Sequence, residues 1–276
     1  MRVLLVATLA LCVSGEVLAE EESTFRAYVD SEICARLMLG PISPARITCS
    51  QRTSGEGAGP VLVRLSNNMV LTVNNPKTIH PLAGQFVEVS GELKTTEGTL
   101  RLGSIHPIKA DAVPQGPERR LTDPQVYNSA TNSKLYEQIR FQLARLPYVT
   151  DYDFISFTLN GSDVILTGWT VREANRTSAN NLVKSIRGVE SVVNNIELLS
   201  SLRGDYDLRY AARVVLRQKL PNYFFNGASD IRIIVKDQTI ILVGVVKSRD
   251  DFDIASRECN MLPFVFKVFN MLQIRP

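Results

Sequence analysis

The sequence predicts an α+β protein: a small N-terminal β-barrel domain followed by two copies of an αββαβ module. Three observations predict it. Short runs rich in β-branched residues fill the first third of the chain. A stretch carrying Pro114, Gly116, Pro117 and Pro124, with no apolar periodicity, then interrupts it. Finally, the second half repeats itself: Gly168 pairs with Gly244, Ala179 with Ala255, Val192 with Val268, Asn194 with Asn270 and Ile196 with Leu272, each pair 76 residues apart without a gap. A duplicated unit of this size is a small fold in its own right, not a solenoid turn.

Residues 1–19 read as an export signal. Arg2 precedes an apolar run from Val3 to Val13, and Ala19 supplies the small residue of a cleavage site. Cys12 follows Leu11, which is too bulky for a lipid-attachment site. No other run approaches the ~18 apolar residues of a membrane span. The chain is therefore expected to be exported, and soluble or peripheral.

Cys34, Cys49 and Cys259 remain after export. An oxidising compartment favours pairing of Cys34 with Cys49, which lie in one segment, while Cys259 falls at an apolar helix position and reads as a buried thiol. The cysteine spacing matches no common zinc pattern, and His80 and His106 are out of register with it, so no metal is expected.

Residues 24–110 form the first domain. Val61–Leu65, Met69–Val73, Gln85–Leu93 and Thr99–Leu102 read as strands, with Asn67-Asn68, Asn74-Asn75-Pro76 and Glu97-Gly98 as turns and little helix signal. Residues 84–105 resemble the later strands of an OB-type barrel, where a glycine bends a strand so that the barrel can close. Over 20–110 nine acidic residues balance nine basic ones, and the aromatics are few (Phe25, Tyr28, Phe86). Nucleic-acid binding needs a basic stripe and stacking rings, and neither is present. Residues 111–132 are the linker.

The modules span 133–200 and 205–276. Leu135, Ile139 and Leu143 recur at helical spacing and are answered by Leu208, Ala212 and Leu216, with Ser133 and Asp205 as expected caps. Two strands follow, joined at Asn160-Gly161 or Lys236-Asp237, and the second ends at Gly168 or Gly244. A helix over 173–186 or 249–262 and a strand over 191–199 or 267–275 complete each copy.

This pattern resembles the BON family: V-x-L-x-G, an alanine-containing helix, then G-V-x-x-V-x-N-x-L. The first copy supplies Val164 to Gly168, Ala179, Gly188-Val189 and Val192 to Ile196; the second supplies Ile240 to Gly244, Ala255, Phe264-Val265 and Val268 to Leu272. Phe264 departs from the family's glycine, so that turn must be built differently, with Pro263 contributing. The resemblance implies an exported, envelope-associated bacterial protein whose modules interact with phospholipid or other envelope components. It carries no catalytic residues and no cofactor.

Gly168 and Gly244 read as fold-keeping positions where a strand swings into a loop, and Asn194 and Asn270 as buried amides that must bond backbone. Two features of the second module suggest sites. Its outward sheet face (Ile234, Ile241, Val243, Val245, Phe269, Met271) is largely apolar, whereas the matching face of the first module is mixed and wettable. An exposed patch of that size must be covered, by the first module, the barrel domain, a second chain or lipid. The second feature is Tyr223-Phe224-Phe225 in a loop three residues longer than its counterpart, with Arg217 and Lys219 just before it. Such rings and cations suit anionic phospholipid, the alternative being that the rings close the module's core. No Ser-His-Asp or Cys-His arrangement is suggested, and Asp250-Asp251-x-Asp253 suits a helix start, so catalysis is not expected. The expectation is a non-enzymatic envelope-binding protein. The alternative is a structural subunit of an envelope or extracellular assembly, a homo-oligomer included, that uses the apolar sheet face as its interface.

Overall fold

Strand β1 (Glu21–Ser31) is long enough to serve two partners, and this closes a barrel. Its first part pairs with β4 (Phe86–Lys94) and its second with β2 (Pro60–Arg64). Strands β3 (Val70–Val73) and β5 (Thr99–Pro107) complete the order β1-β2-β3-β5-β4, with β3 and β5 parallel. That is the strand order of an OB-type barrel. The β4–β5 register shifts at Ser90/Gly91, where the strand bends as the sequence suggests. Alternating side chains such as Ala27, Val29, Leu62, Leu71, Val87, Val89 and Leu100 fill the interior. The computed structural model describes residues 21–38, 42–94, 98–109, 133–225 and 228–275. The export signal, Cys12 and the 111–132 linker lie outside the described residues.

Between β1 and β2 the chain forms two helices, α1 (Glu32–Leu37) and α2 (Pro44–Gly55), where only strands were expected. The signals for them were local. Ser31 accepts from the Cys34 N–H and Ser43 from the Arg46 N–H, and Pro44 sits in the first turn of α2. The Cys34–Cys49 disulfide ties the two helices together. A short helix, α3 (Pro76–Ile79), follows β3 and plugs the barrel with Ile79.

Both modules have the αββαβ order. The first comprises α4 (Ser133–Leu143), β6 (Phe154–Asn160), β7 (Asp163–Thr170), α5 (Glu173–Lys184) and β8 (Ser191–Leu198). The second comprises α6 (Arg203–Lys219), β11 (Ile231–Lys236), β12 (Thr239–Val246), α7 (Arg249–Asn260) and β13 (Lys267–Ile274). Its longer loop adds a 3-10 turn (Pro221–Tyr223) and a small hairpin of β9 (Phe224–Phe225) and β10 (Ala228–Ser229). In each sheet the central strand pairs antiparallel with the first and parallel with the last, and the 76-residue offset persists in the register. Gly168 lies beside Ile155 and Ile196; Gly244 lies beside Ile231 and Leu272.

The duplicated glycines are forced by close approach. Both have positive φ, and a Cβ would sit 1.9 Å from the Phe154 carbonyl oxygen at Gly168 or the Asp230 carbonyl oxygen at Gly244. Asp205 is not the cap of α6. It lies inside the helix, where its carboxylate accepts from the Asp237 and Gln238 N–H groups and fastens the β11–β12 turn to the helix start. Cys259 is fully buried in the second module's core, and burial pushes its thiol pKa up to about 12.

Candidate functional site

The expected lipid-binding array does not form. Tyr223 and Phe224 are buried in the core of module 2, packed with Leu220 and Ile231. The Tyr223 hydroxyl donates to Asp251 at 2.6 Å and accepts from the Lys247 N–H at 2.8 Å, which leaves it no role at a surface. Burial, then the bond to Asp251, raises its pKa. Arg217 and Lys219 remain exposed on α6, and the Phe225 side chain lies outside the described residues. The physical reason is that the longer loop folds back as a hairpin and uses its first two rings to close the module's end.

The apolar sheet face is likewise covered from within. Ile234, Ile241, Val243 and Phe269 are buried in one cluster with Ile33, Leu37, Met38 and the Cys34–Cys49 pair of the α1–α2 insert. Met271 packs at its edge, where Arg52 approaches its sulfur, and Val245 is half-buried. Of the covers the sequence left open, two are used together: the barrel domain's insert and the first module, whose Phe154, Trp169 and Leu199 join the same cluster, so this face is not free for a second chain. The mixed face of module 1 is not wet either. Ser156, Thr158, Thr167 and Trp169 are buried, Ile165 joins the barrel core, and the Asn195 side-chain amide donates to the Val70 carbonyl at 2.9 Å.

Asn194 and Asn270 are half-buried, not buried, and do bond backbone, each to a helix. Each side-chain amide donates to a helix carbonyl, Arg176 at 2.9 Å or Phe252 at 2.8 Å. Each side-chain oxygen accepts a backbone N–H of its own edge strand, Ile196 at 3.2 Å or Leu272 at 3.1 Å.

Two features were not legible as sites in the sequence. At the junction of the three domains, Glu32 and Arg36 of α1 meet Glu197 of β8 and Lys236 of β11. Lys236 lies 2.6 Å from Glu197 and 2.9 Å from Glu32, and Arg36 lies 3.1 Å from each carboxylate. Burial opposes ionisation of Glu32, but its hydrogen bond with Glu197 and the charges of Arg36 and Lys236 hold its pKa well below the usual carboxylate range. Burial, with the neighbouring Glu32, pushes Glu197 up to about 7 despite the two cations. Lys236 also loses solvation on burial, yet the two carboxylates raise its pKa. Beside this network opens a cavity of about 690 Å³, walled by the β2–β3 face of the barrel, β8 and module 2.

The second feature is the α7–β13 turn. Met261, Phe264 and Phe266 are 71%, 86% and 83% exposed, and Phe264 has φ +64° where the first module has Gly188. The Phe266 N–H donates to the Gln238 carbonyl, and Asp205 holds that same turn, so Leu202 and Tyr206 at the start of α6 stand at this end too. The Gly-to-Phe departure was the available signal.

Among curated proteins, none matches the chain. Two solved structures of CdsD, a structural protein of the type III secretion system of Chlamydia trachomatis, are similar to it. One, the C-terminal domain, is 12% identical and covers 52% of this chain and 98% of its own, with a TM-score of 0.23. The other is 13% identical and covers 51% and 92%, with a TM-score of 0.22. The BON domain family model matches residues 131–200 and 211–276, on the two αββαβ units. The chain is a BON-domain protein, carrying two copies of the domain behind a five-stranded barrel.

Proposed function

We propose that this is a non-enzymatic, envelope-associated binding protein, exported to the periplasm or outer envelope, whose second BON module meets anionic phospholipid through Met261 and Phe264. One observation carries this reading: Phe264 holds a left-handed backbone that costs a bulky residue about 1–2 kcal/mol, and its ring is displayed to solvent. A ring kept exposed at the expense of strain serves contact, not packing. Residues 205–276 carry eleven Lys and Arg against eight Asp and Glu, which favours an anionic surface. No helix among the described residues is long and apolar enough to cross a membrane, so the attachment proposed is peripheral.

The test is co-flotation of the mature chain with phosphatidylglycerol-containing vesicles. Met261→Ser/Phe264→Ser is expected to lower the bound fraction at least tenfold. Failure of the native chain to float, or equal binding by the variant, rules the reading out.

The second reading is a structural subunit of an envelope assembly. It is favoured by Tyr206, Tyr210 and Val214, exposed at four-residue spacing along one face of α6. A stable oligomer indifferent to vesicles and broken by Tyr210→Glu would support it.

A further inference from the structure

The cavity at the three-domain junction is left unused by the reading above. Its volume, about 690 Å³, is that of a small-molecule site. Its chemistry narrows the occupant by elimination. The charged groups on its wall are Glu32, Glu197 and Asp237 against Arg36, Arg176 and Lys236, an even balance. A polyanion or polycation would meet as much repulsion as attraction there.

An extended peptide would need a free strand edge to pair with. Strand β8 forms one wall, and two of its edge groups are already engaged. Asn194 takes the Ile196 N–H, and the Arg36 guanidinium donates to the Asn195 carbonyl at 2.7 Å. The strand is thus protected against β-addition along this wall.

What remains is a ligand that is neutral, rich in hydroxyls and flat on one side. Arg176, which also pairs with Glu173 at 3.6 Å, and the exposed Thr72 carry hydrogen-bonding groups among the lining residues. Phe266 stands at the cavity's lip with its ring 83% exposed, and Leu198, also exposed, contributes to the wall. An exposed ring beside polar groups gives the apolar face of a pyranose a platform while its hydroxyls find partners. The wall on the barrel side comes from β2 and β3, the face with which barrels of this order hold oligosaccharides.

We infer that the three-domain cavity is a binding site for a neutral oligosaccharide, with Phe266 as its stacking residue. The site is independent of the phospholipid contact: Phe266 lines the cavity, whereas Met261 and Phe264 do not.

Calorimetric titration of the mature chain with maltotriose, cellotriose and triacetylchitotriose tests it, with trialanine and sucrose octasulfate as peptide and polyanion controls. Saturable binding of at least one trisaccharide is expected. Phe266→Ala should weaken it at least tenfold, and because the ring is exposed the fold should survive. Thr72→Trp, which fills the opening from β3, should abolish it. Phe264→Ser should leave it unchanged, which separates this site from the lipid contact. The inference falls if no trisaccharide binds, if Phe266→Ala binds as well as the native chain, or if either control binds more tightly.

Discussion

The Lys236 ammonium of module 2 lies 2.6 Å from the Glu197 carboxylate of module 1, and both reach Glu32 of the barrel domain's insert. One ion network thus touches all three domains, two cations against two anions. The arrangement is buried enough that its protonation bears on how the domains hold together.

The first expectation is a stability maximum in mild acid. Glu197 carries a folded pKa of about 7, above its ordinary 4.5, because burial and Glu32 disfavour its charge. A carboxyl of this kind binds its proton more tightly in the folded chain. It therefore adds stability as pH falls from about 7 toward 4.5, and that stability is lost as pH rises through about 7. Glu32 acts oppositely: its depressed pKa gives stability at neutral pH that disappears only in stronger acid. The thermal midpoint should peak between these limits, and Glu197→Gln should flatten the slope between pH 5 and 7. Scanning calorimetry across pH decides; a native midpoint that climbs steadily to pH 8 contradicts the assignment.

The second concerns the paired asparagines. Asn270→Ala removes a bond to the Phe252 carbonyl and another from the Leu272 N–H, and loosens α7 from β13. A loss of about 1–3 kcal/mol is expected in urea unfolding. Asn194→Ala should cost a similar amount, since its geometry is the same. An unchanged urea midpoint for both variants would show that water replaces the amides without cost.

The third concerns the disulfide. Cys34–Cys49 closes a short loop in the wedge on which both module sheets pack, and cross-linking such a loop is worth about 3 kcal/mol. Cys34→Ser/Cys49→Ser should lower the thermal midpoint and speed proteolysis within α1 and α2. If limited digestion leaves the double variant as resistant as the native chain, packing alone holds the wedge.

Much of the architecture was legible because it is local. Leu135, Ile139 and Leu143 announce their helix by spacing, and the alternation in Ile155, Phe157 and Leu159 announces its strand. The 76-residue repeat carried the topology of one module onto the other. The α1–α2 insert was missed because its signals, the caps Ser31 and Ser43 and the first-turn Pro44, are single residues, and α2 buries Arg46, Ser50 and Thr53 where an apolar stripe would have announced a helix. The Tyr223-Phe224-Phe225 triplet misled because composition does not say which way a ring turns; the hairpin after α6 turned the first two inward.

The sequence by itself determined the two αββαβ copies, the glycines at which they turn and the pairing of Cys34 with Cys49, since periodicity, close approach and proximity along the chain are properties of a segment. Only the tertiary structure decided which surfaces are free. Burial of Ile234 and Phe269, the meeting of Glu32 with Lys236 and the exposure of Phe264 depend on how three separately coded units pack. Apolar faces are non-directional, and a pattern of grease along a strand specifies that it will be covered without specifying by what.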